Sequence, residues 1–137
     1  MRQFIKYLAL LSVGGGVFML YELISRGHSH WTMFLLGGLC FIFMGLINEV
    51  LPQETPVLLQ MLLGSVAVTL MEFITGYIVN IRLGWQVWDY SGIPLNFMGQ
   101  ICLLYSVLWF FFSGVGIVLD DWIRWRWFGE DKPQYRL

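Results

Sequence analysis

Four apolar runs, each near the length of a bilayer's hydrocarbon core, take up most of this chain. They fall at about residues 4–25, 31–47, 57–81 and 95–119. A helix needs about 20 mainly apolar residues to span a membrane. In hydrocarbon only helices and closed barrels satisfy their own backbone polar groups. The expected fold is therefore an all-α membrane protein: four transmembrane helices in one integral membrane domain, 1–137, with residues 120–137 as a surface-lying tail. The chain is 58% hydrophobic and 12% charged, against about 45–50% and about 25% in a soluble domain. Once the four runs are placed, too little chain is left for a soluble domain. The net charge of −1 gives no basic field for a nucleic acid. Cys40 and Cys102 lie inside apolar runs, where thiols behave as small hydrophobes.

The joints are short. Arg26-Gly27-His28-Ser29-His30 reads as a tight turn, followed by Trp31 at an interface. Leu51 to Pro56 holds two prolines, which favour turns over continued helix. The first run follows Arg2 and has Lys6 in its first turn, but no small-residue cleavage site follows it, so it reads as a span rather than a signal. With four spans both termini share one side. Arg2, Lys6, Arg124, Arg126, Lys132 and Arg136 gather there, against Arg26 and Arg82 on the other. The positive-inside rule puts both termini in the cytoplasm and the loop Arg82 to Pro94, with Trp85, Trp88, Asp89 and Tyr90, outside. Asp120 to Phe128 mixes charges with indole rings, as a helix end at the membrane surface does.

Two stretches resemble each other. Tyr21-Glu22-Leu23-Ile24-Ser25 aligns with Met71-Glu72-Phe73-Ile74-Thr75, and Gly37-Gly38-Leu39-Cys40 with Gly99-Gln100-Ile101-Cys102. A duplicated helical hairpin, its copies parallel, would produce this pattern. Gly14-Gly15-Gly16 supplies small residues of the kind that let membrane helices approach closely.

Glu72 is the only carboxylate deep inside a long apolar run. Acids at such depth face a partner, a cavity or water. Three arrangements are open. Glu22 and Glu72 share a polar site in the outer half of the bundle, each is paired locally, as Glu22 can be with Arg26 four residues on, or they face lipid near an interface. Trp88, Asp89 and Tyr90 follow the third run. They read either as an interfacial aromatic belt or as a mouth over the bundle that can hold a cation. Asn96 and Gln100, four apart, are expected on one face of the fourth helix. The candidate substrate-binding set is thus Glu22, Glu72, Trp88, Asp89, Tyr90, Asn96 and Gln100. His28 and His30 make an incomplete metal site. No nucleophile–histidine–acid order, Cys-x-x-Cys or phosphate-binding glycine loop occurs. Enzyme chemistry, cofactor and metal are therefore not expected.

Glu72-x-x-Thr75-Gly76, Trp88-Asp89-Tyr90-Ser91-x-x-Pro94-x-Asn96-x-x-Gly99-x-Ile101-Cys102-Leu103 and Tyr105-Ser106-x-x-Trp109 resemble the signature of the ABC-transporter permease family of CmpB type, also called type IV. Phe34 to Phe41 and Asn48 to Pro52 resemble a short four-helix bacterial subgroup of it. Where many members carry Asn-Arg-Gly-Phe and Gly-Pro after the first span, this chain reads Arg26 to His30 without the proline. The resemblance implies a transporter component that works as an oligomer or with a partner membrane protein, and with a separate ATPase. The expected function is transport of a small solute, a cation being the expected class. The alternative is a non-transport scaffold or accessory subunit of a larger complex.

Overall fold

The computed structural model describes residues 1–52, 55–132 and 135, apart from the Asn48 side chain. Gln53, Glu54 and Arg136, used above for the middle joint and the charge count, lie outside the described residues. Four helices carry the fold: α1 (Arg2–Arg26), α2 (Trp31–Val50), α3 (Val57–Gly76) and α4 (Leu103–Phe128). A π-helical turn, Tyr77–Arg82, extends α3. Three helices are long and apolar enough to cross a membrane: Arg2–Arg26, Val57–Arg82 and Leu103–Phe128. The apolar part of α2, Trp31–Ile47, is shorter.

The four helices lie where the apolar runs place them, but the last begins and ends later than expected. It starts at Leu103, not Leu95, and runs to Phe128, not Leu119. Before it, β1 (Asn96–Phe97) pairs antiparallel with β2 (Ile101–Cys102), Asn96 opposite Cys102 and Phe97 opposite Ile101. Met98 and Gly99 turn the chain between them with φ of 58° and 72°. Gly99 is needed twice over, since a Cβ there would also sit 2.7 Å from Asp89 Oδ1. Apolar Leu95, Phe97 and Met98 mimic a helix start, yet this backbone is a hairpin. At the other end residues 120–128 are not a separate segment. They continue α4, with Asp120, Ile123 and Arg124 buried. Arg124 explains the continuation: it donates from Nε to Asp120 one turn earlier (2.8 Å) and pairs with Glu49 of α2.

The helices associate chiefly as α1 with α2 and α3 with α4, but the second half of the sequence match does not hold in the fold: Gly37 to Cys40 lie within α2, whereas Gly99 to Cys102 form the turn and β2 ahead of α4. Glycine sets the first pairing. A Cβ on Gly15 would meet the Phe34 carbonyl oxygen at 2.5 Å, and one on Gly38 the Leu11 carbonyl oxygen at 2.6 Å. Backbone therefore lies against backbone, the approach that small residues permit. Hydroxyls tie the second pairing: Ser65 Oγ donates to the Ser106 carbonyl (2.6 Å), and the Thr69 and Ser106 hydroxyls bond at 2.8 Å. The start of α1 meets the end of α4. Arg2 donates to the Phe128 carbonyl (2.6 Å), and Lys6 pairs with Glu130 (3.0 Å). The start of α1 and the end of α4 thus lie at one end of the bundle, and the hairpin loop lies at the other.

Candidate functional site

Glu72 sits on the inner face of α3 and is 4% exposed. Each of its oxygens accepts one bond. The Tyr90 phenol donates to Oε2 (2.9 Å) and the Trp109 indole NH to Oε1 (3.2 Å). Both donors are neutral, and no lysine or arginine pairs with this acid among the described residues. Burial first, and the nearby Glu72 second, push the Tyr90 phenol well above its usual range, so it stays a donor. The Tyr90 ring stacks on Tyr105 at 4.7 Å between centroids, which fixes the reach of its hydroxyl.

Glu22 is nearly as buried, at 6%, but it is differently employed. Arg26, one turn later, donates to it at 3.0 Å, and the same guanidinium donates to the Val87 carbonyl at 2.8 Å. Glu22 and Arg26 therefore pin the outer loop to the end of α1. Of the three arrangements open for the carboxylates, Glu22 adopts local pairing, Glu72 has no local charged partner, and the burial of both rules out exposure at the bundle surface.

The remaining candidates build the loop. Trp88 is buried, its indole donating to the Gln100 carbonyl (3.0 Å). Gln100 Oε1 accepts from Asn80 Nδ2 (2.7 Å), and Asn80 Oδ1 in turn accepts from the Val87 backbone NH (2.7 Å). Asn96 and Gln100 do not share a helix face. Asn96 lies in β1, donates to the Ile93 carbonyl (2.8 Å) and accepts from the Gly99 NH (3.0 Å), so it closes the turn. Asp89 is outermost and accepts from the Ser91 NH (2.9 Å). That backbone bond holds its carboxyl below the usual carboxylate range. Of the loop triad, only Tyr90 reaches Glu72.

Trp109 was not among the candidates, yet it contacts the acid. Its position in mid-helix was the available signal, since a buried indole NH needs an acceptor. Asn80, an amide at the end of an apolar run and a conceivable partner of Glu72 by sequence, instead bonds to Gln100 and Val87.

Below Glu72 an apolar cleft of about 230 Å³ opens between the helices. Val17 and Tyr21 of α1, Gly37 and Cys40 of α2, and Val115 and Gly116 of α4 line it. Glu72 is the only carboxylate on its wall. The arrangement offers one acid, two neutral donors and a largely hydrocarbon surface. Among the described residues no group of three or more His, Cys, Asp or Glu is placed to hold a metal ion.

A family model described as "Putative ABC-transporter type IV" matches residues 7–125. The chain belongs to that family. The match runs from the second turn of α1 to near the end of α4, so α2, α3, the outer loop, Glu72 and most of α1 and α4 fall within it. Membership of that family, together with three helices long and apolar enough to cross a membrane, supports a membrane protein and a transporter component. No solved structure matches the chain.

Proposed function

We propose that this type IV family member is the membrane-embedded subunit of a transporter for a small solute bearing an amine or other cationic group. It sits in the cell membrane with both termini cytoplasmic, assembles with a second copy or a partner membrane protein, draws energy from a separate ATPase and performs no catalysis itself. The observation that carries this reading is Glu72. An acid buried among apolar side chains and met only by neutral donors is complementary to an arriving cation. Its place beside an open cleft gives such a group a route to it.

The test uses the full chain in lipid nanodiscs, with thermal unfolding followed against amines, alcohols and carboxylates. A ligand at a hundred times its Kd stabilises by about 2.7 kcal/mol. Amines are expected to raise the unfolding temperature of wild type and to leave Glu72→Gln unchanged. Stabilisation by no amine, or an equal response in Glu72→Gln, would sink the proposal.

A second reading, a scaffold or accessory subunit, is favoured by Glu22, whose local bridge to Arg26 serves loop attachment alone. Under that reading, Glu72→Gln behaves as wild type in every assay but folding.

A further inference from the structure

The cleft is a slot with one polar end. On α1 it extends from Tyr21 to Gly14, and on α4 from Trp109 to Leu119. At the rise of a helix these spans are roughly 10 to 15 Å long. Glu72 and Trp109 stand at one end, and Met44 and Leu119 line the apolar remainder. Its volume of about 230 Å³ exceeds the ~150 Å³ of a dry apolar cavity that accepts benzene. Val17 and Val115 form lips on α1 and α4. They are 54% and 66% exposed, so the slot opens sideways between these helices, toward lipid.

A small hydrated cation suits this shape poorly. It would shed water along walls that offer nothing polar beyond the Glu72 end, and that desolvation is costly. A hydrocarbon chain gains with every methylene buried. An ammonium group at Glu72 would supply the cation that no lysine or arginine of the described residues supplies. A carboxylate or phosphate head would instead meet like charge.

We infer that the slot binds a single-chain amphiphilic amine, its alkyl chain along α1 and α4 and its ammonium on Glu72, entering sideways from the bilayer. This rests on the reading of Glu72 as the solute site and adds the chain and the lateral entry.

The probe is dodecylamine carrying a diazirine near its chain end, photolysed with the full chain in nanodiscs, the labelled residues being mapped by mass spectrometry. Labels are expected on slot-facing side chains of α1 and α4. Dodecylamine should compete, dodecanol about tenfold less well for want of the charge-assisted contact, and butylamine hardly at all. V17W and V115W place indole rings at the mouth from exposed positions, where folding tolerates bulk, and each should abolish labelling. E72Q should erase the preference for amine over alcohol. Equal competition by dodecanol would overturn the inference and make the slot a seat for any bilayer chain. Butylamine competing as well as dodecylamine would overturn the chain and spare Glu72 as an amine site. Labelling that no amine of either length displaces would overturn both.

Discussion

Two neutral donors, the Tyr90 phenol and the Trp109 indole, each hold one oxygen of Glu72. Glutamine keeps one acceptor and turns the other into a donor, so one of these bonds is lost. The expected cost is about 1–3 kcal/mol, the range for a buried donor left unpaired. Glu72→Gln should therefore insert and fold with a lowered unfolding midpoint while losing amine binding. If it fails to accumulate as folded protein, Glu72 is structural and the site loses its centre. Tyr90→Phe keeps the stack on Tyr105 but leaves one buried oxygen of Glu72 without its donor, so about 1–3 kcal/mol is lost, and amides of the outer loop should exchange faster with deuterium. Asp89 behaves differently, because its folded value lies below its unfolded value of about 4. Its contribution is full above that value and fades as the pH falls through the folded one. Loop exchange rates, corrected for intrinsic chemistry, should thus show no Asp89-dependent change between about pH 5 and 8. Glu72 itself was legible in the sequence because its apolar surroundings isolate it. Its partners were not: Trp109 lies thirty-seven positions away, and only folding brings an indole from α4 against an acid of α3.

The α1–α2 pair rests on glycines that differ sharply in their surroundings. Gly38 abuts the Leu11 carbonyl, whereas Gly16 has nothing within 4 Å of where a Cβ would stand. Gly38→Val should drive the helices apart at a cost of about 1–3 kcal/mol, the range for overpacking. Gly16→Ala should be neutral or stabilising by up to about 1 kcal/mol. Unfolding in a fixed detergent compares them directly, and similar losses for both would contradict the packing account. The triple glycine showed that a close approach was coming but not which members make it, because that depends on how α1 is rotated toward α2. The misplaced start of α4 has an equally local cause. Leu95, Phe97 and Met98 continue an apolar run, and hydropathy does not distinguish them from a helix. Pro94, Asn96 and Gly99 carried the turn signal, yet Leu95 and Met98 take positive φ without being glycine, which residue type does not announce. The end of α4 extends beyond its apolar run because its charges find partners. Asp120 and Arg124 bond to each other, and Glu49 joins them from α2.

At the scale of the molecule, the contacts of Arg2 with Phe128 and Lys6 with Glu130 place the start of α1 and the end of α4 together, as four alternating helices demand. With the arginines and lysines concentrated there, that end should be cytoplasmic. A membrane-impermeant maleimide should label Gly92→Cys on intact cells and Asp131→Cys only after permeabilisation. The reverse pattern would invert the topology. The central claim is that Glu72 receives the solute, and Trp109 reports on it directly, because an ammonium arriving at the carboxylate must disturb the indole NH bond. The decisive measurement is tryptophan emission of the lipid-embedded chain titrated with dodecylamine, in wild type, Trp109→Phe and Glu72→Gln. A saturable change that disappears in both variants is the predicted result. A change of equal size in all three, or none in wild type, would contradict the account.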